Sequence, residues 1–207
     1  MSEKLTEITD ERLDRRCNAM KCAALTLFTE QGFEATKLSE VVERAGGSLA
    51  TLYKLFGNKE GLLEAVISDT RDHGADIIRE IAARGGKPSV TLHEVGLALH
   101  ESVLSPEYIA IFRIVMSRCI ADSSFAEDFF KKTQLGKRVA LHDIFQLWAE
   151  QGVEMIEEPT MLADIFLGMH VLDFQMEAIS HGHFEPATPE QIRRRTDFFL
   201  RGAGLAD

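Results

Sequence analysis

The chain has 207 residues, 45% hydrophobic and 27% charged, with five prolines, a composition ordinary for a globular protein with one good core or two small ones. No apolar stretch approaches the roughly 18 uncharged residues of a membrane span, since even the run from Tyr108 to Met116 contains Arg113. The net charge of −10 argues at first against a nucleic-acid partner, but residues 1–60 hold nine Lys and Arg against ten Asp and Glu, so the excess acid lies almost wholly in the remainder.

Taken in chain order, the elements read as helices. Leu13, Cys17, Met20, Ala24 and Leu27/Phe28 recur at spacings of three and four, one apolar stripe that should stop near Gly32. A short helix is expected over 37–45, with Thr36 as N-cap and Leu38, Val41 and Val42 facing inward. Gly46 and Gly47 break it. Ser48 is a natural N-cap for a third helix running to about Phe56, and Asn58 for a long fourth one from Lys59 to about Arg84. Further on, Thr91 with Glu94, Ser124 with Glu127 and Thr188 with Gln191 have the spacing of capping boxes. Pro106, Pro159 and Pro189 suit first helical positions, where a missing N–H costs nothing. These signals predict helices near 91–104, 106–120, 124–151, 159–180 and 189–201, with loops at 84–88 and 181–186. The expected class is all-α with about nine helices, since sustained period-2 alternation and hairpin turns are absent from the sequence.

Residues 36–56 have the dimensions of a helix-turn-helix: short helix, Gly-bearing turn, short helix. In the second helix Leu52 and Phe56 fall on one face with Leu55 beside them. The other face offers Ser48, Leu49, Ala50, Thr51, Tyr53 and Lys54, which are mostly small, hydroxylic or basic. Small side chains let a helix enter a major groove about 12 Å wide, and hydroxyls and Lys reach phosphate oxygens. Lys59 opens the next helix, where free N–H groups attract phosphate. Short helices joined by Gly-Gly also occur in helical proteins that never meet DNA, so spacing alone leaves both readings open.

A resemblance favours the first. Ala24, Leu27, Phe28, Glu30, Gly32, Phe33 and Thr36, then Val41, Val42, Ala45, Gly46 and Ser48, then Thr51, Leu52, Tyr53, Phe56, Asn58, Lys59, Glu60 and Leu62 stand in the order and register of the TetR family of one-component regulators. The region that resembles the family covers roughly residues 12–70. The resemblance implies a DNA-binding domain at 10–57 and an effector-binding and dimerisation domain at 58–207. It implies that Thr36, Lys37, Ser48, Thr51, Tyr53 and Lys59 contact phosphates or the groove, and that Leu49, Ala50 and Lys54 lie where bases are read. Two departures stand out: Gly47 occupies a place where the family usually has a Val-like plug, and Leu55 one where it often has His. These, with the acidic balance, favour the competing reading, a helical ligand-binding or interaction protein of the same fold without operator binding.

The expected partners are a palindromic double-stranded DNA operator, a largely apolar or aromatic small-molecule effector, and a second copy of the chain. The dimer is expected through helices 159–180 and 189–201. There Leu162, Ile165, Phe166, Met169, Leu172 and Phe174/Met176, then Ile192, Phe198, Phe199 and Leu200 beside Arg193, Arg194 and Arg195, cover more than one subunit's core requires. The candidate effector pocket comprises Phe112, Met116, Trp148, Phe166 and His170, with core packing as the bland alternative for each. His170 with Asp173, one turn apart, has acid/base spacing, although a polar edge or an effector contact is the favoured reading. No nucleophile-elbow, P-loop or dinucleotide pattern is present, so no enzyme activity and no cofactor is expected. His181 and His183 flank a glycine in a loop and lack spaced partners, so no metal is expected. Cys17, Cys22 and Cys119, odd in number and without ligand spacing, fit a reduced cytoplasm, as does an acidic N-terminus unlike a secretory leader.

Overall fold

In a computed structural model of the protein, the described residues are 2–132 and 136–206, with side chains described for 12–69, 74–131 and 136–206. Every regular element among them is a helix: α1 (Ser2–Gln31), α2 (Leu38–Ala45), α3 (Leu49–Phe56), α4 (Lys59–Ala83), α5 (Pro88–Val103), α6 (Pro106–Ala121), α7 (Ser123–Lys132), α8 (Gly136–Glu150), α9 (Pro159–Ser180) and α10 (Pro189–Ala203). The all-α expectation holds. The helix expected over 124–151 corresponds to α7 and α8, which flank residues 133–135 outside the described set. The chain divides into two compact units, residues 1–70 and 71–207.

In the first unit the predicted stripe of α1 is buried from Met20 onward through Ala23, Ala24, Leu27 and Phe28, while Leu13 is exposed. Gly32, at φ 84°, ends the helix, its N–H donating to the Phe28 carbonyl at 3.1 Å. Phe33 then turns back edge-on to Phe28, ring centroids 5.1 Å apart. Val41 and Val42 from α2, Leu52 from α3, and Leu62, Leu63, Val66 and Ile67 from α4 complete this core. Each such side chain contributes about 1.5–3 kcal/mol when withdrawn from water.

Helix starts follow caps, with three corrections. Ser48 accepts the Thr51 N–H at 3.2 Å and Asn58 accepts the Gly61 N–H at 2.7 Å, as expected. Thr188 and Gln191 form a complete capping box. Thr36, however, is not an N-cap. It is buried, and its hydroxyl donates to the Gly32 carbonyl at 2.8 Å, so the cap position passes to Lys37. Thr91 likewise lies inside α5 and is buried, because Pro88 occupies the first turn and starts the helix three residues earlier. At α7 the cap is Asp122 rather than Ser124: its carboxylate accepts the N–H groups of Ser124 and Phe125 at 2.9 and 3.2 Å. A carboxylate acceptor at a helix N-terminus outcompetes a hydroxyl two residues later.

The second unit has one large apolar core. Ile78 and Ile81 of α4, Leu92, Val95 and Leu99 of α5, Leu141, Ile144, Phe145 and Trp148 of α8, Leu162 and Phe166 of α9, and Phe199 and Leu200 of α10 meet there. A run of rings ties it together. Trp148 meets Phe145 at 5.6 Å, Phe145 meets Phe199 at 6.0 Å, and Phe199 meets Phe166 at 5.1 Å. Such offset or edge-to-face pairs add about 0.5–1.5 kcal/mol each beyond burial. Among the described residues no helix is long and apolar enough to cross a membrane.

Candidate functional site

The turn between α2 and α3 is built from the glycines outward. Gly46 takes the left-handed conformation (φ 68°), donating to Glu43 at 3.3 Å, while Gly47 donates to Val42 at 2.8 Å. This pair of bonds satisfies the last carbonyls of α2 and reverses the chain. The missing side chain at Gly47 leaves no gap, because a Cβ there would lie 2.6 Å from the terminal methyl of Met20. Met20, buried on α1, therefore supplies from another helix the plug that Gly47 lacks.

α3 buries Leu52 completely and half-buries Leu55 and Phe56, which fixes its orientation in the first unit. Its opposite face is exposed through Leu49, Ala50, Tyr53 and Lys54, with Ser48 exposed at the start. Ser48 and Thr51 share a hydrogen bond between their hydroxyls at 3.0 Å. Tyr53 is 52% exposed, a large value for an aromatic ring. The sequence-expected set on α3 thus lies on one exposed surface, except Thr51, which is half-buried.

The α1–α2 connection is more constrained than spacing alone indicated. Gln31 donates to the Thr36 hydroxyl at 3.3 Å and to a Glu40 carboxylate oxygen at 2.9 Å, and the same oxygen accepts the Lys37 N–H at 2.9 Å. The Lys37 N–H and then the Gln31 amide hold the Glu40 carboxyl below its usual range. Sequence reading missed Gln31, since its partners lie five and nine residues away and no local pattern marks it. Thr36 consequently offers no outward hydroxyl: it braces the loop. Lys37 is exposed and remains available. Lys59 donates to the Glu34 carbonyl at 3.1 Å and lies 4.5 Å from the Phe33 ring centroid. An ammonium has three donors, so this tether positions Lys59 and still leaves N–H groups for a phosphate.

In the second unit the candidate effector residues separate into two places. Trp148 and Phe166 belong to the closed core, and His170 is buried beside Phe166 with ring centroids 4.8 Å apart. Neither His170 ring nitrogen has a hydrogen-bond partner, and burial pushes the imidazole down to about 4, with the nearby Arg195 and His100 charges acting the same way. Asp173 does not pair with His170 as an acid/base couple; it receives a short bond of 2.5 Å from Arg195 of α10. Phe112 and Met116 instead lie half-buried on α6, Phe112 edge-on to Phe174 at 4.9 Å. Burial also raises the Cys119 thiol, which makes it a poor thiolate.

The apolar excess on α9 and α10 divides in the same way. Leu162, Phe166, Phe174, Ile192, Phe199 and Leu200 are buried in their own subunit. Met161, Ile165, Leu172, Met176 and Ile179 form one exposed stripe along α9, and Phe198 projects from α10 at 70% exposure. Gly168 lies within that stripe with open space over its backbone.

A short exposed helix, set by a Gly-bearing turn on two supporting helices, defines a helix-turn-helix protein of the DNA-binding regulator class. Residues 22–66 match the family model for bacterial regulatory proteins of the tetR family, and residues 90–201 match that for the AefR-like transcriptional repressor C-terminal domain. The chain belongs to the TetR family. It is similar to the transcriptional repressor KstR2 of Rhodococcus jostii, 28% identical over 118 residues, 56% of this chain and 57% of that one. It is also similar to the repressor ComR of Escherichia coli, 50% identical over 44 residues, 21% of each. The matches thus span about half or less of these relatives. Among solved structures, a putative TetR-family regulator from Mesorhizobium loti superposes with a TM-score of 0.80 at 20% identity, covering 93% of this chain and 98% of that one. A Clostridium perfringens putative fatty acid metabolism regulator gives 0.65 at 19%, covering 89% and 97%. At these identities the likeness is one of fold.

Proposed function

We propose that the protein is a ligand-responsive repressor that binds a palindromic operator as a homodimer and is released by a small molecule. The observation that carries the DNA reading is the exposed α3 face: Leu49, Ala50 and Lys54 where base edges would be met, flanked by Ser48, Thr51 and Tyr53 for phosphates. Lys37 and Lys59 add backbone contacts on either side, while Thr36 acts by bracing the loop. Two copies would place their α3 helices about 34–36 Å apart, one turn of DNA. The exposed α9 stripe with Phe198 supports that pairing, because an apolar face of this extent is unusual on a monomer. Arg194 and Arg201 beside Phe198 suit the polar rim of such an interface. Coupling would run through α4, whose residues belong to both units, and a ligand would act only through its differential affinity for the DNA-bound and released arrangements.

The direct test is fluorescence anisotropy with DNA from upstream of the protein's own coding sequence, for wild type and Lys54→Ala. Wild type should bind at a defined site. Lys54→Ala should change preference among operator variants by roughly 1–3 kcal/mol. Binding no tighter than to random duplex would overturn the operator reading and leave a helical ligand-binding protein of the same fold.

A further inference from the structure

Lys137 stands on the first turn of α8, half-buried, in a setting unlike that of the neighbouring cations. Arg138 pairs with Asp164, Lys131 with Glu127 and Arg195 with Asp173. Among the described residues no carboxylate pairs with Lys137. Its ammonium instead donates to the Tyr108 phenol oxygen at 3.0 Å and lies 4.4 Å from that ring's centroid. Its stem runs across Gly74 of α4, where any Cβ would collide with the Lys137 side chain. A glycine inside a helix costs about 1 kcal/mol relative to alanine, and here it is what lets the lysine reach Tyr108.

An aromatic wall continues from the ammonium. Tyr108 meets Phe174 edge-on at 5.5 Å and Phe174 meets Phe112 at 4.9 Å, with Met116 one turn further along α6. Tyr108, Phe112 and Met116 are only half-buried, and none of them belongs to the closed core of the unit. A phenol oxygen and a ring face leave the ammonium's charge uncompensated, whereas a carboxylate would supply both an acceptor and an opposite charge. The arrangement is therefore a cation with no counter-charge among the described residues, at the end of an apolar wall.

We infer that the effector is a small organic carboxylate with an aromatic or aliphatic body, its carboxylate held by the Lys137 ammonium and the Tyr108 hydroxyl and its body laid against Phe112 and Met116. This rests on the reading of the protein as ligand-responsive and names the chemistry of the ligand. One cation and one neutral donor match a single negative charge rather than a phosphate dianion.

The test measures binding calorimetrically on the full-length protein with probe pairs matched in carbon skeleton and differing in charge: octanoate against 1-octanol, and 4-phenylbutyrate against 4-phenyl-1-butanol. Wild type should prefer the carboxylate of at least one pair by about tenfold or more. Lys137→Met keeps the stem over Gly74 and removes the charge, so it should abolish that preference. Tyr108→Phe should reduce the preference, and Phe112→Ala should weaken acid and alcohol alike. Equal affinity for acid and alcohol in wild type, no binding of either acid at millimolar concentration, or a preference that survives Lys137→Met would each overturn the inference. Operator release is scored separately with the same probes. Lys137-dependent acid binding that leaves DNA affinity unchanged would uphold the site and refute the release reading. Release by the alcohol as readily as by the acid would do the reverse.

Discussion

Acidification should destabilise this protein through one imidazole. His170 is 2% exposed, and it fits because Gly96 lacks a side chain: a Cβ there would lie 3.2 Å from both Cε1 and Nε2. Burial is the main cause of its lowered affinity for protons, reinforced by Arg195 and His100 and opposed by Asp173, and the folded value is about 4 against 6.5 for an ordinary histidine. Between those values the unfolded chain binds more protons than the folded one, so stability falls as pH falls through that window. The full difference amounts to roughly 3 kcal/mol at about 1.4 kcal/mol per pH unit, of which about 2 kcal/mol is lost between pH 7 and pH 5. Urea unfolding followed by far-ultraviolet circular dichroism at a series of pH values reads this directly. His170→Leu removes the titrating group and two unpartnered nitrogens, so its stability should be flatter over that range by the same 2 kcal/mol. Parallel pH profiles for wild type and variant would refute the assignment, because the other titrating groups are common to both.

Three further outcomes are expected. Lys59→Ala should weaken binding to all duplexes about equally and lower the salt slope by about one unit, measured as log affinity against log salt. Phe198→Asp and Ile165→Asp should dissociate the proposed dimer into folded monomers in sedimentation, whereas Phe166→Asp should fail to fold, because it places a charge in a closed core at a cost of several kcal/mol; unaltered sedimentation of the first two would remove the α9 stripe from the proposed interface. Gly47→Val should cost about 1 kcal/mol in thermal unfolding by pushing on the Met20 methyl, and combining it with Met20→Ala should cost less than the sum.

Most of the helices were legible because their ends are written in side chains that cap locally, such as Ser48, Asn58 and Thr188. The errors arose where two local signals competed. Thr36 had the right residue type for a cap, but its hydroxyl found the Gly32 carbonyl, and Pro88 started α5 ahead of Thr91. The α3 face was legible for a different reason: one helix cannot hide Leu52 and Lys54 on the same side. α9 was harder, since it is apolar on two faces, and periodicity does not say which face meets its own subunit. Phe166 and Phe199 therefore read as interface residues and proved to be core. Gln31 and Lys137 owe their roles to partners on other elements, which no spacing rule reaches.

The plug that Met20 supplies to the α2–α3 turn makes the proposed DNA-reading unit discontinuous in sequence. Residues 36–56 look like a cassette that could be moved to a relative to exchange operator preference. Moved alone, the cassette would arrive with a glycine facing whatever its new α1 carries at the equivalent of position 20, and a smaller residue there would leave a void beneath the turn. The reverse graft, a cassette with a branched residue at position 47, would strike the methyl already in place. Positions 20 and 47 are thus a single choice made in two places, and a specificity chimera succeeds only when both travel together.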